Sequence, residues 1–365
     1  MKILKVLSVL LTVLLLCVDC HNGHKNERQR NKEESVTQEI KIGAILPLTG
    51  VFSINGQTCK EGLDLAVREI NEFQSKFFFM VTYEENHSLS TDNLTAFNKL
   101  KVQNYKIFVG FGGQLLSGII PKTNDQDMIL FAHATNNNKF MTTSNRCLRM
   151  YPNSTMFANM ISDFLDSLSI SNAGVVYLNN EAFTEIGETF RAEFESRGHT
   201  VPFFEAYDPK SRDFKNIVNK AANKNLQCIY IAGSGETAAS FIHQLFSNPN
   251  TERIPVMGEM SLSNSSNREV IGDHKTSVYV LDNYMSNVFV ENYYNAYKKT
   301  PNGYAAYVYA NMYMLLDALN NIEEPDGKSL YTYFRENRFD TAIGEFSFDK
   351  ETGEPDFELL VNELK

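Results

Sequence analysis

The chain has 365 residues, 43% of them apolar and 21% charged, with a formal net charge of -10. This is ordinary globular composition and enough chain for two cores. The acid excess, with a pI near 5.3, argues against a nucleic-acid or anionic-membrane surface.

Residues 1–20 read as an export signal: Lys2 and Lys5 precede the apolar run Val6 to Leu16, which is too short to span a membrane comfortably. Cys17 and Cys20 close that run, and a cysteine there suggests a lipid-acceptor site, with Cys20 ahead of Cys17. Residues 21–37 are polar and charged and read as a tether that cannot bury enough surface to fold. Cys59, Cys147 and Cys228 complete the five cysteines, so an exported form keeps at least one free thiol. No spacing suggests a metal site, and no cofactor is expected.

From Gln38 the chain alternates strands and helices. The run Ile42-Gly43-Ala44-Ile45-Leu46 reads as a strand buried on both faces. The turn Pro47 to Gly56 follows, then a helix with Leu63, Ala66, Val67 and Ile70 on one face. Strands are expected at Phe77 to Tyr83, Tyr105 to Phe111, Met128 to Phe131 and Cys147 to Tyr151, with a helix capped near Thr91-Asp92-Asn93. Ser154 is expected to cap the next helix. Further strands follow at Ala173 to Leu178, Val201 to Tyr207, Cys228 to Ala232, Ile254 to Gly258 and Ser277 to Leu281, with a helix from Arg212 to Lys224. IFVGFGGQLLSGII and CIYIAGSGETAASFI are both strand, glycine turn, helix, a weak internal symmetry. Regular alternation predicts an α/β protein with parallel sheets covered by helices. From Asn287 the chain is helical, around Pro301-Asn302-Gly303.

Several segments resemble the leucine/isoleucine/valine-binding proteins, the type I periplasmic solute-binding proteins of ABC importers. These are Ile40 to Gly43, Thr49-Gly50, Gly56, Gly62, Ala66 to Asn71, and the closing segment Gly344-Glu345-Phe346-Ser347-Phe348-Asp349. The resemblance covers about Gln38 to Lys365. It implies two Rossmann-like lobes joined by a multi-crossover hinge, with residues 38–151 and 284–350 in the first and 152–283 and 351–365 in the second.

The resemblance also implies where a ligand sits. The loop Gly112-Gly113-Gln114 opens a helix whose free N–H groups favour an anion, and Gln114 stands where the family has Ser or Thr. In His133-Ala134-Thr135 the family uses a backbone carbonyl at the position of His133 and the N–H and hydroxyl at that of Thr135. A hydroxyl both donates and accepts, which suits a zwitterion. Glu259 fits the family's carboxylate for the ligand ammonium, with Met260 as the one-residue alternative. Phe183 stands where an aromatic lies over the ligand, Ser234 replaces an aromatic with a small hydroxyl, and Asn55 lies at the cleft rim.

The implied function is an exported solute-binding receptor, lipid-anchored at the periplasmic or cell surface. It is expected to act as a monomer, closing on an amino acid or similar small polar ligand and docking on an ABC permease. The alternative is a sensor of the same fold acting on a signalling partner. An enzyme is not expected: Gly233-Ser234-Gly235 lacks the G-x-S-x-G elbow, and no G-x-G-x-x-G or P-loop occurs.

Overall fold

The computed structural model describes residues 37–124, 127–138 and 146–364. The expected signal, Cys17 and Cys20, and all but the last residue of the expected tether lie outside the described residues.

The first sheet is built from β1 (Gln38–Leu46), β2 (Phe77–Glu85), β3 (Ile107–Phe111), β4 (Ile129–His133) and β5 (Cys147–Arg149), all parallel, in the order β2-β1-β3-β4-β5. Between them run α1 (Ser53–Phe73), α2 (Ser90–Val102), and the short α3 (Gly113–Leu116) and α4 (Ile120–Asn124). The apolar runs read from the sequence are these strands, and β3 and β4 are buried along their whole length. That burial on both faces is why they lack polar alternation.

The second sheet repeats the plan. Its strands are β6 (Asn172–Leu178), β7 (Thr200–Tyr207), β8 (Cys228–Ala232), β9 (Val256–Gly258) and β10 (Val278–Asn283), joined by α5 (Ser154–Ser167, entering the sheet), α6 (Glu181–Ser196), α7 (Lys215–Ala221), α8 (Gly235–Phe246) and α9 (Ser265–Ile271). The order β7-β6-β8-β9-β10 matches that of the first sheet, so the two similar sequence stretches occupy the same place, at β3 and at β8. In each sheet the order reverses after the first strand, at β1/β3 and at β6/β8. Loops leaving strands at such a point diverge and open a crevice.

The chain then runs through α10 (Asn287–Tyr297), α11 (Gly303–Asn321), α12 (Gly327–Glu336) and a hairpin of β11 (Arg338–Thr341) and β12 (Gly344–Ser347). It ends on β13 (Leu359–Glu363), antiparallel to β10. The chain therefore passes between the sheet layers three times, after β5, after β10 and before β13. Arg149 at the end of β5 pairs with Glu354 on the last passage, Nε to Oε2 2.9 Å.

Close helix packing seats α1. Its buried face carries Asn55, Gly56, Cys59 and Gly62, then Leu63, Ala66 and Ile70. A Cβ at Gly62 would lie 2.3 Å from the Ala305 carbonyl oxygen, so only glycine lets α1 lie against α11. Glu69 is buried but accepts from Asn292 Nδ2 (2.9 Å), Tyr313 OH (2.9 Å) and Tyr309 OH.

Three expected boundaries shift for local reasons. Asn153, not Ser154, caps α5: its side chain accepts from Met156 N at 2.9 Å. The helix expected near Thr91 begins at Ser90, and Asn93 turns inward, donating to the Leu115 carbonyl at 2.6 Å. The helix expected over 212–224 spans only Lys215–Ala221; before it the Gln244 amide donates to the Arg212 carbonyl at 2.9 Å, the acceptor a helix from 212 would use, and accepts from the Phe214 N–H at 2.8 Å.

Candidate functional site

Loops at the strand ends of both sheets bring polar groups to the gap between the sheet layers. On the first side, β4 ends in His133, whose carbonyl accepts from Gly112 N at 2.8 Å. That bond ties the β4 loop to the glycine turn after β3. Ala134 then takes a left-handed φ of 52°, uncommon for a residue with a Cβ and of a kind that gathers where a loop is held for function. Thr135 is buried, its hydroxyl 3.4 Å from the Ala132 carbonyl and its side chain 3.7 Å from where a Cβ at Gly113 would sit. Burial pushes the His133 imidazole down to about 3, opposed by the Met150 backbone, so the ring is neutral.

Arg149 braces this loop. It is fully buried, donates through Nη2 to the Asn137 carbonyl at 2.6 Å and through Nη1 to that of Thr135, and is held from behind by Glu354. Two backbone carbonyls and a carboxylate match the planar fork of the guanidinium, which a lysine would not reproduce.

On the second side, the register fixes the acid. Met257 on β9 pairs with Tyr230 on β8, and side chains two apart share a face. Glu259, two residues beyond Met257, therefore comes to the Tyr230 side, and Tyr230 OH donates to its Oε1. Glu259 is only 2% exposed. Burial lifts its carboxyl to about 7, opposed by the Tyr230 hydrogen bond. No Lys, Arg or His among the described residues pairs with it. The one-residue alternative, Met260, instead packs on the start of α11, where a Cβ at Gly303 would lie 2.7 Å from its sulfur.

Glu259 sits among tyrosines from both sides of the gap. Burial pushes the hydroxyls of Tyr151, Tyr207, Tyr230 and Tyr304 up, and the Glu259 charge adds to the effect in each. The rings of Tyr151 and Tyr304 stack at 5.7 Å with their hydroxyls 3.3 Å apart. Tyr207 points its hydroxyl at Gly233, where a Cβ would be 2.0 Å away, so that turn needs glycine to admit the ring.

The two sides touch across the gap. Asn136 Nδ2 donates to the Ala182 carbonyl at 3.1 Å, the Asn138 N–H to Glu185 Oε1 at 2.8 Å, and Asn302 Nδ2 to Asn264 Oδ1 at 2.6 Å. A cavity of about 400 Å³ lies beside these contacts, lined by Phe52, Ser53 and Asn55 from the first side and Asn180, Arg212 and Ser234 from the second. Gly235, on its lining, donates its N–H to Ser261 Oγ at 3.3 Å, two residues past Glu259.

Of the residues singled out in the sequence, Asn55 and Ser234 line this cavity. His133, Ala134 and Thr135 form the loop braced by Arg149, and Glu259 lies in the tyrosine cluster. Phe183 is half-buried in the first turn of α6, its N–H bonded to the Asn180 cap at 2.9 Å. Gln114 is exposed on α3, and its carbonyl accepts from Ser90 and Ser117. Sequence reading missed Tyr151, Tyr230 and Tyr304, and also Arg149, Asn180 and Arg212. The only signal for the tyrosines was position: Tyr230 at the middle of an otherwise aliphatic strand, Tyr151 and Tyr304 beside the passages between lobes. Cys59, Cys147 and Cys228 are free, buried thiols. Among the described residues no cluster of His, Cys, Asp or Glu is arranged for a metal, and no helix is long and apolar enough to cross a membrane.

Two α/β lobes of matching topology, facing each other across a gap bridged by three chain passages, define a bilobal solute-binding protein. A periplasmic binding protein family profile matches residues 39–365, and the chain belongs to that family, whose members bind solutes and are not enzymes. No curated protein sequence matches the chain. Among solved structures it is similar to the branched-chain amino acid transporter substrate-binding protein LivJ of Streptococcus pneumoniae in complex with isoleucine. That likeness has 16% identity, covers 90% of this chain and 100% of that one, and has a TM-score of 0.78. It is also similar to the leucine-binding protein LivK of Thermotoga maritima (20% identity, 89% and 95% covered, TM-score 0.79). A solute-binding protein of an ABC transporter from R. palustris, in complex with benzoate, is alike to the same degree (16% identity, 90% and 93% covered, TM-score 0.78).

Proposed function

We propose that this protein is the extracytoplasmic receptor of an ABC importer and that it closes on a small amine-bearing carboxylate, an amino acid or close relative, between its lobes. The observation that carries the reading is Glu259. A carboxylate removed from water costs several kcal/mol unless it is paired. Here it has a tyrosine hydroxyl but no cation among the described residues. A ligand ammonium is the missing partner, and the Thr135 loop, with its hydroxyl and N–H, supplies donors for the ligand carboxylate. The stacked tyrosines Tyr151 and Tyr304 form an apolar wall for the ligand body.

The names of the neighbours in structure support transport, and they name two ligand classes, branched-chain amino acids and benzoates. The uncompensated acid favours the first class over a ligand with no cationic group. Asn55, Ser234 and Arg212 in the adjoining cavity favour a side chain more polar than leucine. In this reading Cys20, or failing that Cys17, carries a lipid that anchors the receptor to the membrane at the periplasmic or cell surface, with residues 21–37 as tether.

The test is thermal unfolding of the mature chain against free amino acids, their amides and benzoates. A ligand at 100 times its dissociation constant adds about 2.7 kcal/mol. Stabilisation by amino acids and loss of it in Glu259→Gln is the expected result. Stabilisation by benzoates alone would overturn the ammonium assignment.

A further inference from the structure

A second chamber lies on the other side of the first turn of α1. It has a volume of about 580 Å³ and is walled by α1, by the segment leading into α9, and by the turn from α10 to α11. It shares only Ser53 and Ile54 with the cavity beside Ser234. The family reading gives it no role.

Its chemistry is unlike that of the molecule as a whole. Against a chain charge of -10, the lining carries three cations, Arg268, Lys298 and Lys299, and one acid, Glu61. Lys299 is spent on Glu61 at 2.6 Å, and Glu61 also accepts from Tyr293 OH at 2.5 Å. Neither Arg268 nor Lys298 has a carboxylate within ion-pair distance among the described residues. Lys298 lies over the ring of Tyr294, 5.6 Å from its centroid. The lining adds the donors Ser265, Ser266 and Asn264, whereas the Thr58 hydroxyl is spent on the Ile54 carbonyl at 2.9 Å. Asn264 supplies the second observation. Its Oδ1 is taken by Asn302, and its Nδ2 is buried with no acceptor. An amide N–H left so costs roughly 1–3 kcal/mol, a deficit that an acceptor in the chamber would remove. Ile54 and Tyr294 are exposed apolar surface on the same wall, which suits an organic body better than a bare ion.

We propose that this chamber is a second ligand site, for a small organic anion carrying a carboxylate or phosphate group. Arg268 and Lys298 hold the charged oxygens, and the Asn264 amide donates to one of them. Because α1 packs with the first sheet and residues 264–268 with the second, an anion seated here bridges the two lobes and favours their closed arrangement. Arg268 provides a forked donor set for either oxyanion, and the exposed position of both cations makes the binding sensitive to salt.

The experiment is thermal unfolding of the mature chain at low ionic strength with succinate, citrate, phenyl phosphate and inorganic phosphate, repeated in 0.5 M sodium chloride. At least one organic anion is expected to raise Tm by several degrees and to lose most of that effect in salt. Arg268→Ala and Lys298→Ala are each expected to weaken the affinity about tenfold or more while leaving the unliganded Tm unchanged. Lys99→Ala, which breaks an exposed pair with Glu84, is expected to change nothing, and Glu259→Gln is expected to keep the anion effect while losing any amino-acid effect. If inorganic phosphate acts as well as the organic anions, the chamber holds an adventitious ion only. The proposal also fails if no anion stabilises the protein, if the effect survives Arg268→Ala combined with Lys298→Ala, or if it disappears with Glu259→Gln, which would assign it to the interlobe site. Failure of the amino-acid reading leaves these outcomes unaltered.

Discussion

Replacing Glu259 by glutamine separates what the residue costs the fold from what it gives the ligand. Its carboxyl titrates from 4.5 in the free group to about 7 in the fold, with burial as the main cause. Between those pH values the folded chain holds a proton that the unfolded chain releases, so stability falls as pH rises through this window. Below about pH 4.5 both states are protonated and no penalty exists. Above about pH 8 the penalty for the closed arrangement reaches about 3 kcal/mol by the tenfold-per-1.4 kcal/mol relation, and any opening of the empty lobes lowers it. Glutamine keeps the shape and still accepts from Tyr230, but never ionises. Glu259→Gln should therefore make the unliganded protein more stable at pH 8 by about 1–3 kcal/mol, and match it at pH 4.5. The assay is urea unfolding of both forms at three pH values, reading the shift in midpoint at constant slope. A variant that is less stable than the parent at pH 8, or whose difference is the same at every pH, would refute the claim that the carboxylate is buried without compensation. Asp282 is also lifted to about 7 by burial, opposed by backbone N–H groups, so the variant keeps some pH dependence of its own and only the difference between the two forms reports on Glu259.

Further outcomes follow from the packing and the loops. Thr135→Val keeps the buried volume and removes the hydroxyl. It should weaken amino-acid binding about 10- to 100-fold in titration calorimetry, the worth of a hydrogen bond to a charged group, with little change in Tm. Arg149→Met leaves Glu354 without its partner and frees two carbonyls of the Asn136 loop. Unfolding should show a loss of about 3–5 kcal/mol, and amide exchange of residues 134–138 should quicken. Gly62→Ala drives a methyl into the Ala305 carbonyl and should cost about 1–3 kcal/mol in denaturant, far more than the helix-propensity gain of alanine.

Most of the fold was legible in the sequence because buried parallel strands write themselves as short apolar runs between glycine turns. The stretch from Cys228 to Ala232 reads as the strand it is, and the likeness of two glycine-turn stretches corresponds to matching strands in two sheets. Boundaries moved where a side chain from elsewhere claimed backbone groups, as Gln244 does at the Arg212 carbonyl and the Phe214 N–H. The site was legible only in part. Thr135 and Glu259 were singled out through the resemblance to the family, whose strand-end loops carry polar groups at those places, and not from any local pattern. A tyrosine in a strand or helix looks like any core aromatic. Nothing local says that the hydroxyl of Tyr230 meets an acid 29 positions away. Arg149 was hidden similarly: its partner Asn137 lies in the loop before β5 and Glu354 is brought to it by the last passage, 205 positions on.

The charge of Glu259 also bears on how the lobes move. The tyrosines that desolvate it come from different parts of the chain: Tyr230 and Tyr207 from the second sheet, Tyr151 and Tyr304 from the passage after β5 and the start of α11. Parting the lobes would admit water to the carboxylate and relieve its cost, and closing them empty would restore it. Under the proposed amino-acid reading, a ligand ammonium would remove the same cost without opening and so shift the balance toward closure by its preference for the closed form. A penalty of about 3 kcal/mol corresponds to a shift of roughly a hundredfold in the closed-to-open ratio. Protonation does what the ligand does: near pH 5 the carboxyl is neutral, and the empty protein should close. Small-angle scattering of the unliganded chain at pH 5 and pH 8 should show the smaller radius of gyration at pH 5. Glu259→Gln should show that smaller radius at both values. An unliganded protein with one radius at both pH values, shared by the variant, would mean that the carboxylate does not govern closure.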